Sequence, residues 1–362
     1  MANFSNPTFD TNLTGWKAGK APNDIATPAA WYDASQETFN DNDAVGTFTD
    51  RSGNSRNLTQ STTANKPIFK TNILNGNPVL RFNGTSHEMA TSSFTLTDPV
   101  TAFSVHVWRS YINTYPSILD GLTPNTLNYV YGGGVMTPYS GGFWAVNHGS
   151  SLDTPLFSTL KLNGASSELF ANGASMGTTS ASAALGGIQL SHAYGGQWSN
   201  ADQAEVIFYA SAISTENIAM ISSYLSLKYA ITNAGGGLQV TRDTTTKYSG
   251  AASGKLVATT YNTPFYELFT PTTGSKIITC YAYTSGAAVT SADLEIYYDG
   301  VAATTSFTDQ GAGWYLLSAT VDGAATDKKS GVIVKASKTV YVDSFNIAAA
   351  SSSYPLPCHF NT

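Results

Sequence analysis

Charge is scarce in this sequence. Only 12% of its 362 residues are Asp, Glu, Lys or Arg, and they sum to −6. Nucleic-acid binding needs clustered Lys and Arg against phosphate, and Lys328-Lys329 is the sole adjacent basic pair. A nucleic-acid partner is therefore excluded. No apolar run approaches the roughly 20 residues that cross a bilayer as a helix, so no membrane partner is expected. The two cysteines, Cys280 and Cys358, are too few for a disulfide framework and have no metal-ligand spacing; they read as unlinked thiols. The start, Met-Ala-Asn-Phe-Ser-Asn-Pro, has neither a basic nor an apolar stretch of the kind an export signal carries.

Catalytic patterns are missing too. The seven glutamates (Glu37, Glu88, Glu168, Glu205, Glu216, Glu267 and Glu295) include no Glu-x-Asp-x-Glu run that would aim two carboxylates from one strand into a cleft. Asp293-x-Glu295 is the nearest same-face pair and reads as solvated charge at a strand entry. The five histidines (His87, His106, His148, His192 and His359) form no His-x-x-x-His motif. There is no Gly-x-Ser-x-Gly elbow and no phosphate-cradling glycine loop. The expectation is that this is not an enzyme.

What the chain has is aromatic side chains, 20 of them Tyr, among short β-patterned runs separated by Gly, Asn, Pro and Ser. Such rings fill sandwich cores or stack on sugars. The fold class that follows is all-β, with two β-sandwich or jelly-roll domains. The organisation is discontinuous. Asn6 to Asp10 and Gly15-Trp16 read as a strand with no partner nearby, and the matching series begins only after Gly235-Gly236-Gly237, which reads as a hinge. Residues 1–20 and 234–350 therefore form one domain, residues 21–233 a second inserted in an early loop, and residues 351–362 an extended tail. One amphipathic helix is expected near 214–230, with Ser214 as N-cap and Ile218, Ile221 and Leu225 at helical spacing.

Within the insert, Trp31-Tyr32-Asp33-Ala34-Ser35, Asp50-Arg51-Ser52-Gly53-Asn54 and Asn75 through Gly84 are followed by Ala204 to Tyr209 and Tyr224 to Tyr229. In this order they resemble laminin-G-like members of the concanavalin A-like lectin/glucanase superfamily. The resemblance implies fold more than ligand. Turn chemistry alone accounts for Asp50–Asn54 and Asn83-Gly84, and Asp33, Asp50 and Glu205 fall short of the six to eight oxygens Ca²⁺ takes.

In the interrupted domain, Asn6 to Asp10, Gly15-Trp16, Tyr248-Ser249-Gly250, Gly313-Trp314 and Tyr341-Val342-Asp343 resemble carbohydrate-binding-module jelly rolls of the kind attached to xylanases and other glycanases. That resemblance implies a structural Ca²⁺ held by Asp10 and Asp343, although a surface Asp and a turn Asp account for the same positions equally. It also implies sugar stacking by aromatic residues, for which Tyr261, Tyr266, Tyr281, Tyr283, Tyr297 and Trp314 are the candidates. Cys280-Tyr281-Ala282-Tyr283 alternates, so both tyrosines share one sheet face, either the core or a binding surface.

The expected function is a non-catalytic surface or adhesion protein that binds host or environmental glycans, set on a phage-like virion as a head fibre, decoration protein or tail-associated adhesin. Its further partners would then be capsid or tail proteins or copies of itself, and its location the virion surface or the extracellular space. The alternatives are a secreted bacterial polysaccharide-binding protein and, third, a glycoside hydrolase.

Overall fold

The computed structural model describes residues 4, 8–9, 13, 15–111, 116–123, 128–132, 135–139, 147–182, 184–192, 196–324 and 326–350. Asp10, Cys358 and the 351–362 tail lie outside them. The chain is all-β and divides into two compact units, Met1–Gly19 with Gly236–Thr362, and Lys20–Gly235.

The discontinuous unit is a two-sheet sandwich. Its five-stranded sheet runs in the order Trp16–Ala18, Thr263–Phe269, Lys328–Val334, Leu294–Tyr298, Val301–Ala302. The amino-terminal strand is an edge of this sheet, antiparallel to Thr263–Phe269 with Trp16 opposite Glu267 and Ala18 opposite Phe265. Aromatic packing holds it there. Trp16 stacks on Phe265 at 4.6 Å and on Phe4 at 5.6 Å, with Phe9 and Phe345 completing the cluster. Fully burying each such ring contributes about 1.5–3 kcal/mol, so a three-residue strand is secured mainly by its side chains.

The facing six-stranded sheet runs Leu238–Asp243, Ser253–Ala258, Lys338–Ala349, Gly274–Tyr283, Trp314–Gly323, Ser306–Asp309. Its inward positions are apolar and buried: Leu238, Leu256, Val340, Val342, Ile278, Cys280, Ala282 and Leu317. Cys280 is a free thiol, and burial pushes its pKa up, which leaves it inert as a nucleophile.

The inserted unit, Lys20–Gly235, has three layers. One sheet runs Ala174–Ala181, Gly164–Ala171, Leu156–Leu162, Val100–Ser110, Asn200–Tyr209, Asn77–Arg81, Ile68–Leu74, with Ala30–Asp33 also paired to Asn200–Tyr209. The second runs from His148–Gly149 through Val135–Tyr139, Asn128–Gly132, Ser117–Gly121, Ile188–Leu190, Met89–Ala90 and Leu58–Thr59 to Thr47–Phe48. Tyr32, Phe48, Phe82, Trp108, Leu119 and Phe208 fill the space between the sheets. On the other face of the first sheet, Phe103, Val105, Phe157 and Ile207 meet Ile218, Ile221 and Leu225 of the helix Thr215–Tyr229. Ser214 caps that helix by accepting the Asn217 N–H at 3.2 Å, and Ala230 ends it in the left-handed conformation.

The sequence landmarks of this unit are structural clamps. Asp50 accepts the backbone N–H groups of Trp31, Ser52 and Arg56 at 2.9–3.0 Å, and Asn83 accepts those of Thr85, Ser86 and His87 at 3.0 Å. Asp33 and Glu205 converge on Lys228, whose Nζ lies 2.7 Å from Asp33 Oδ2 and 2.8 Å from Glu205 Oε2. Trp31 Nε1 and the Tyr224 and Tyr229 hydroxyls donate to the same Glu205 carboxylate. The network ties the last helical turn to the sheet and leaves those carboxylates spent on protein donors. Gly235 has a local reason of its own: a Cβ there would stand 1.9 Å from the Gly173 carbonyl oxygen, a backbone atom that cannot swing away.

Candidate functional site

The alternation along Cys280-Tyr281-Ala282-Tyr283 resolves outward. Cys280 and Ala282 face the core, so Tyr281 and Tyr283 stand on the outer face of the six-stranded sheet. Strand register then builds a row across it. Tyr283 is opposite Trp314 on one side and Tyr341 on the other, Tyr341 is opposite Lys255, and Lys255 is opposite Thr241. One step along the strands, Tyr281 lies between Leu316 and Asp343.

The rings touch. Tyr283 is 5.5 Å from Trp314 and 5.8 Å from Tyr341 between centroids. Tyr248, arriving from the loop before Ser253–Ala258, stacks on Tyr281 at 3.6 Å and meets Trp314 edge-on at 5.7 Å. Tyr281 and Trp314 form a floor, 8% and 7% exposed, while Tyr248, Tyr283 and Tyr341 are half-buried and offer the upper surfaces. Burial and the overlying Tyr248 hydroxyl hold the Tyr281 phenol above its ordinary pKa, so it stays a neutral hydrogen-bonding group. Lys255 Nζ sits 5.7 Å from the Tyr341 ring centroid and ends the row with a cation.

Asp343 fixes the loop that carries Tyr248. Its Oδ2 accepts the N–H groups of Tyr248 and Ser249, both at 2.9 Å, and its Oδ1 accepts the Ser344 hydroxyl at 3.1 Å. Burial raises its pKa, against the pull of those donors. Both amides sit on Oδ2, and Asp10, the other residue expected to hold a Ca²⁺, lies outside the described residues. Among the described residues no group of three or more His, Cys, Asp or Glu is placed to hold a metal. Asp343 in this arrangement is a loop clamp.

Three of the six aromatic candidates therefore meet: Tyr281, Tyr283 and Trp314. Tyr266 and Tyr297 pair at 5.8 Å on the five-stranded sheet and are buried. Tyr261 lies just before Thr263–Phe269 with its ring 3.2 Å from where a Cβ on Gly236 would stand. Two members of the platform were not among the candidates. Tyr341 carries the same alternation signal, between core residues Val340 and Val342, and could have been found by it. Tyr248 sits in a loop and carries no such signal.

Gly313 shapes the platform. Its φ is +81°, and a Cβ there would fall 2.9 Å from Tyr283 Cε2. Gly313→Ala is expected to strain the turn, push the Tyr283 ring off its seat and cost about 1–2 kcal/mol. Near-UV circular dichroism and a thermal melt check this, and unchanged traces in both would refute it.

One acid of the inserted unit titrates far above the usual carboxylate range. Asp120, opposite Gln189 on the second sheet, is pushed up to about 8 by burial, partly offset by the Gly121 N–H at 2.7 Å. A carboxyl whose folded pKa exceeds its unfolded one binds more protons when folded, so stability falls as pH rises from about 4 to about 8. Asp120→Asn is expected to remove that slope and to be more stable than the parent at pH 8. Denaturant titrations at several pH values test it; parallel curves for the two proteins would contradict it.

No protein-family model matches the chain, and no curated protein matches it. Among solved structures, a Trypanosoma rangeli sialidase in complex with sialic acid aligns over 55% of this chain at 11% identity and a TM-score of 0.42. The chain spans 33% of that sialidase's length. Domain 4 of AbnA, a GH43 extracellular arabinanase from Geobacillus stearothermophilus in complex with arabinotriose, aligns over 54% of this chain and 98% of its own at 10% identity and 0.42. A botulinum neurotoxin type C structure, concerned with cell entry through two ganglioside molecules, covers 89% of this chain and 99% of its own at 10% identity and 0.41. Likeness of this degree carries no functional argument, and the reading that follows rests on the chain's own geometry.

Proposed function

We propose that this is a non-catalytic glycan-binding protein, and that the outer face of the six-stranded sheet is its docking surface. The observation that carries the proposal is the cross-strand row Lys255–Tyr341–Tyr283–Trp314, roofed at one side by Tyr248 on Tyr281. Neighbouring strands lie about 4.8 Å apart, so the row from Lys255 to Trp314 runs roughly 14 Å. It is an elongated row of aromatic rings, tilted against one another, of a length suited to several saccharide rings of an oligomer. Rings supply apolar faces to the sugar's C–H surface and hydroxyls fix its orientation.

The absence of catalysis belongs to the same proposal. Two buried acids of the inserted unit, Asp33 and Glu205, are held by Lys228 and aromatic donors. The setting in this proposal is the exterior of a phage-like particle or of a secreting cell, where low charge and a surface of hydroxyls and amides suit exposure to glycan-rich material.

A glycan array followed by calorimetry on the hits tests the binding. Micromolar to millimolar affinity for an oligosaccharide, without release of reducing ends, is the expected result. No binding across the array, or product formation from a bound glycan, would overturn it. Detection of the protein in purified particles separates the virion setting from the secreted one.

A further inference from the structure

Resting on the platform reading, we infer that the row prefers acidic saccharides, and that Lys255 is the residue that reads the acidic group, a uronate carboxylate or a sulfate ester. Lys255 projects from the middle of its strand onto the outer face, since Leu256 beside it is in the core. Its side chain lies beside Tyr341, in register with Thr241 on the opposite flank. An ammonium placed there borders whatever ring stacks on Tyr341.

Lys70, Lys228, Lys328, Lys335 and Lys338 each have a carboxylate partner within ion-pair distance. Among the described residues no carboxylate lies within that distance of Lys255. Asp243 is close enough for the Lys255 charge to help lower its pKa, and its Oδ1 accepts the N–H groups of Thr245 and Thr246 at 2.9 and 2.7 Å. In a chain of net charge −6, this half-buried lysine has no ion-pair partner among the described residues, and its place beside Tyr341 puts an ammonium where an acidic saccharide on the row would meet it. A lysine also suits both acidic groups, because its compact ammonium makes no demand for a bidentate planar partner.

The experiment titrates the whole protein with size-matched oligosaccharides of three kinds, neutral, uronate-containing and sulfated, at low and high salt. The parent is expected to bind at least one acidic series about threefold to tenfold more tightly than the neutral one at low salt, with the preference fading at high salt. Lys255→Met keeps an apolar stem against Tyr341. It should bind the acidic series no more tightly than the neutral one, at low salt as at high. The two acidic series tell carboxylate from sulfate recognition. Equal affinity for neutral and acidic series in the parent, or a preference that survives in Lys255→Met, overturns the inference and leaves the platform reading standing. If none of the three series binds, both fall.

Discussion

Replacing Lys228 with methionine is expected to lower the unfolding free energy of the inserted unit by about 3–5 kcal/mol, the usual cost of removing one partner from a buried ionic network. Methionine keeps most of the stem's packing, so the loss isolates the charge. In the parent the Lys228 side chain is 16% exposed, and its partners Asp33 and Glu205 are 2% and 0% exposed. Burial alone would lower the lysine pKa, but the Glu205 and Asp33 charges outweigh it and hold the ammonium above its ordinary value. Burial pushes the Glu205 carboxyl the other way, up. Without Lys228 two carboxylates face each other with no cation between them, and like charge adds to desolvation.

The sign of the pH dependence follows. In the variant the Glu205 pKa is raised above its unfolded value, so the folded state gains protons relative to the unfolded one as pH falls. The deficit should therefore shrink from pH 8 toward pH 5. For a unit of this size each kcal/mol moves the melting temperature by about 2–4 °C, so the shift near neutral pH should be roughly 6–20 °C. Denaturant and thermal melts at two pH values measure both effects. A deficit under about 1 kcal/mol, or one that grows at acid pH, would show that the network does not hold the helix to the sheet.

Local pattern made the strands and the helix legible, because two-residue and 3.6-residue periods are written in neighbouring residues. The discontinuous organisation was legible too, because Trp16 and its flanking residues had no partner in sequence and found one in Thr263–Phe269. What could not be read was the choice of face for Tyr281 and Tyr283. That depends on Leu256, Val340 and Leu317, core residues of strands far apart in the chain. Tyr248 was out of reach for a stronger reason: its position is set by a carboxylate 95 residues away. The two backbone amides that Asp343 accepts were not legible either, because they belong to a loop 94 and 95 residues away. Tyr266 and Tyr297 show the converse, being strand tyrosines that the outer-face row never meets, since they sit on the other sheet.

Tyr283→Ala is expected to remove glycan binding from this protein. Within the row, Tyr283 is in register with aromatic neighbours on both sides, Trp314 and Tyr341. Deleting it divides the surface in two and leaves a gap where the middle saccharide unit would lie. A central aromatic anchor of this kind accounts for about 2 kcal/mol or more when truncated, roughly thirtyfold in affinity. From a weak starting affinity that ends below detection. Because Tyr283 is half-buried on the outer face, away from the core side of its strand, the fold should survive, and an unchanged melting transition verifies it. Tyr341→Ala, next along the row, should weaken binding by a similar factor. Tyr261→Ala provides the internal control, as a tyrosine that lies off the row: its affinity should match the parent's. If Tyr283→Ala binds as well as the parent while Tyr261→Ala does not, the docking surface lies elsewhere on the protein, and the row is packing beneath the Tyr248 loop.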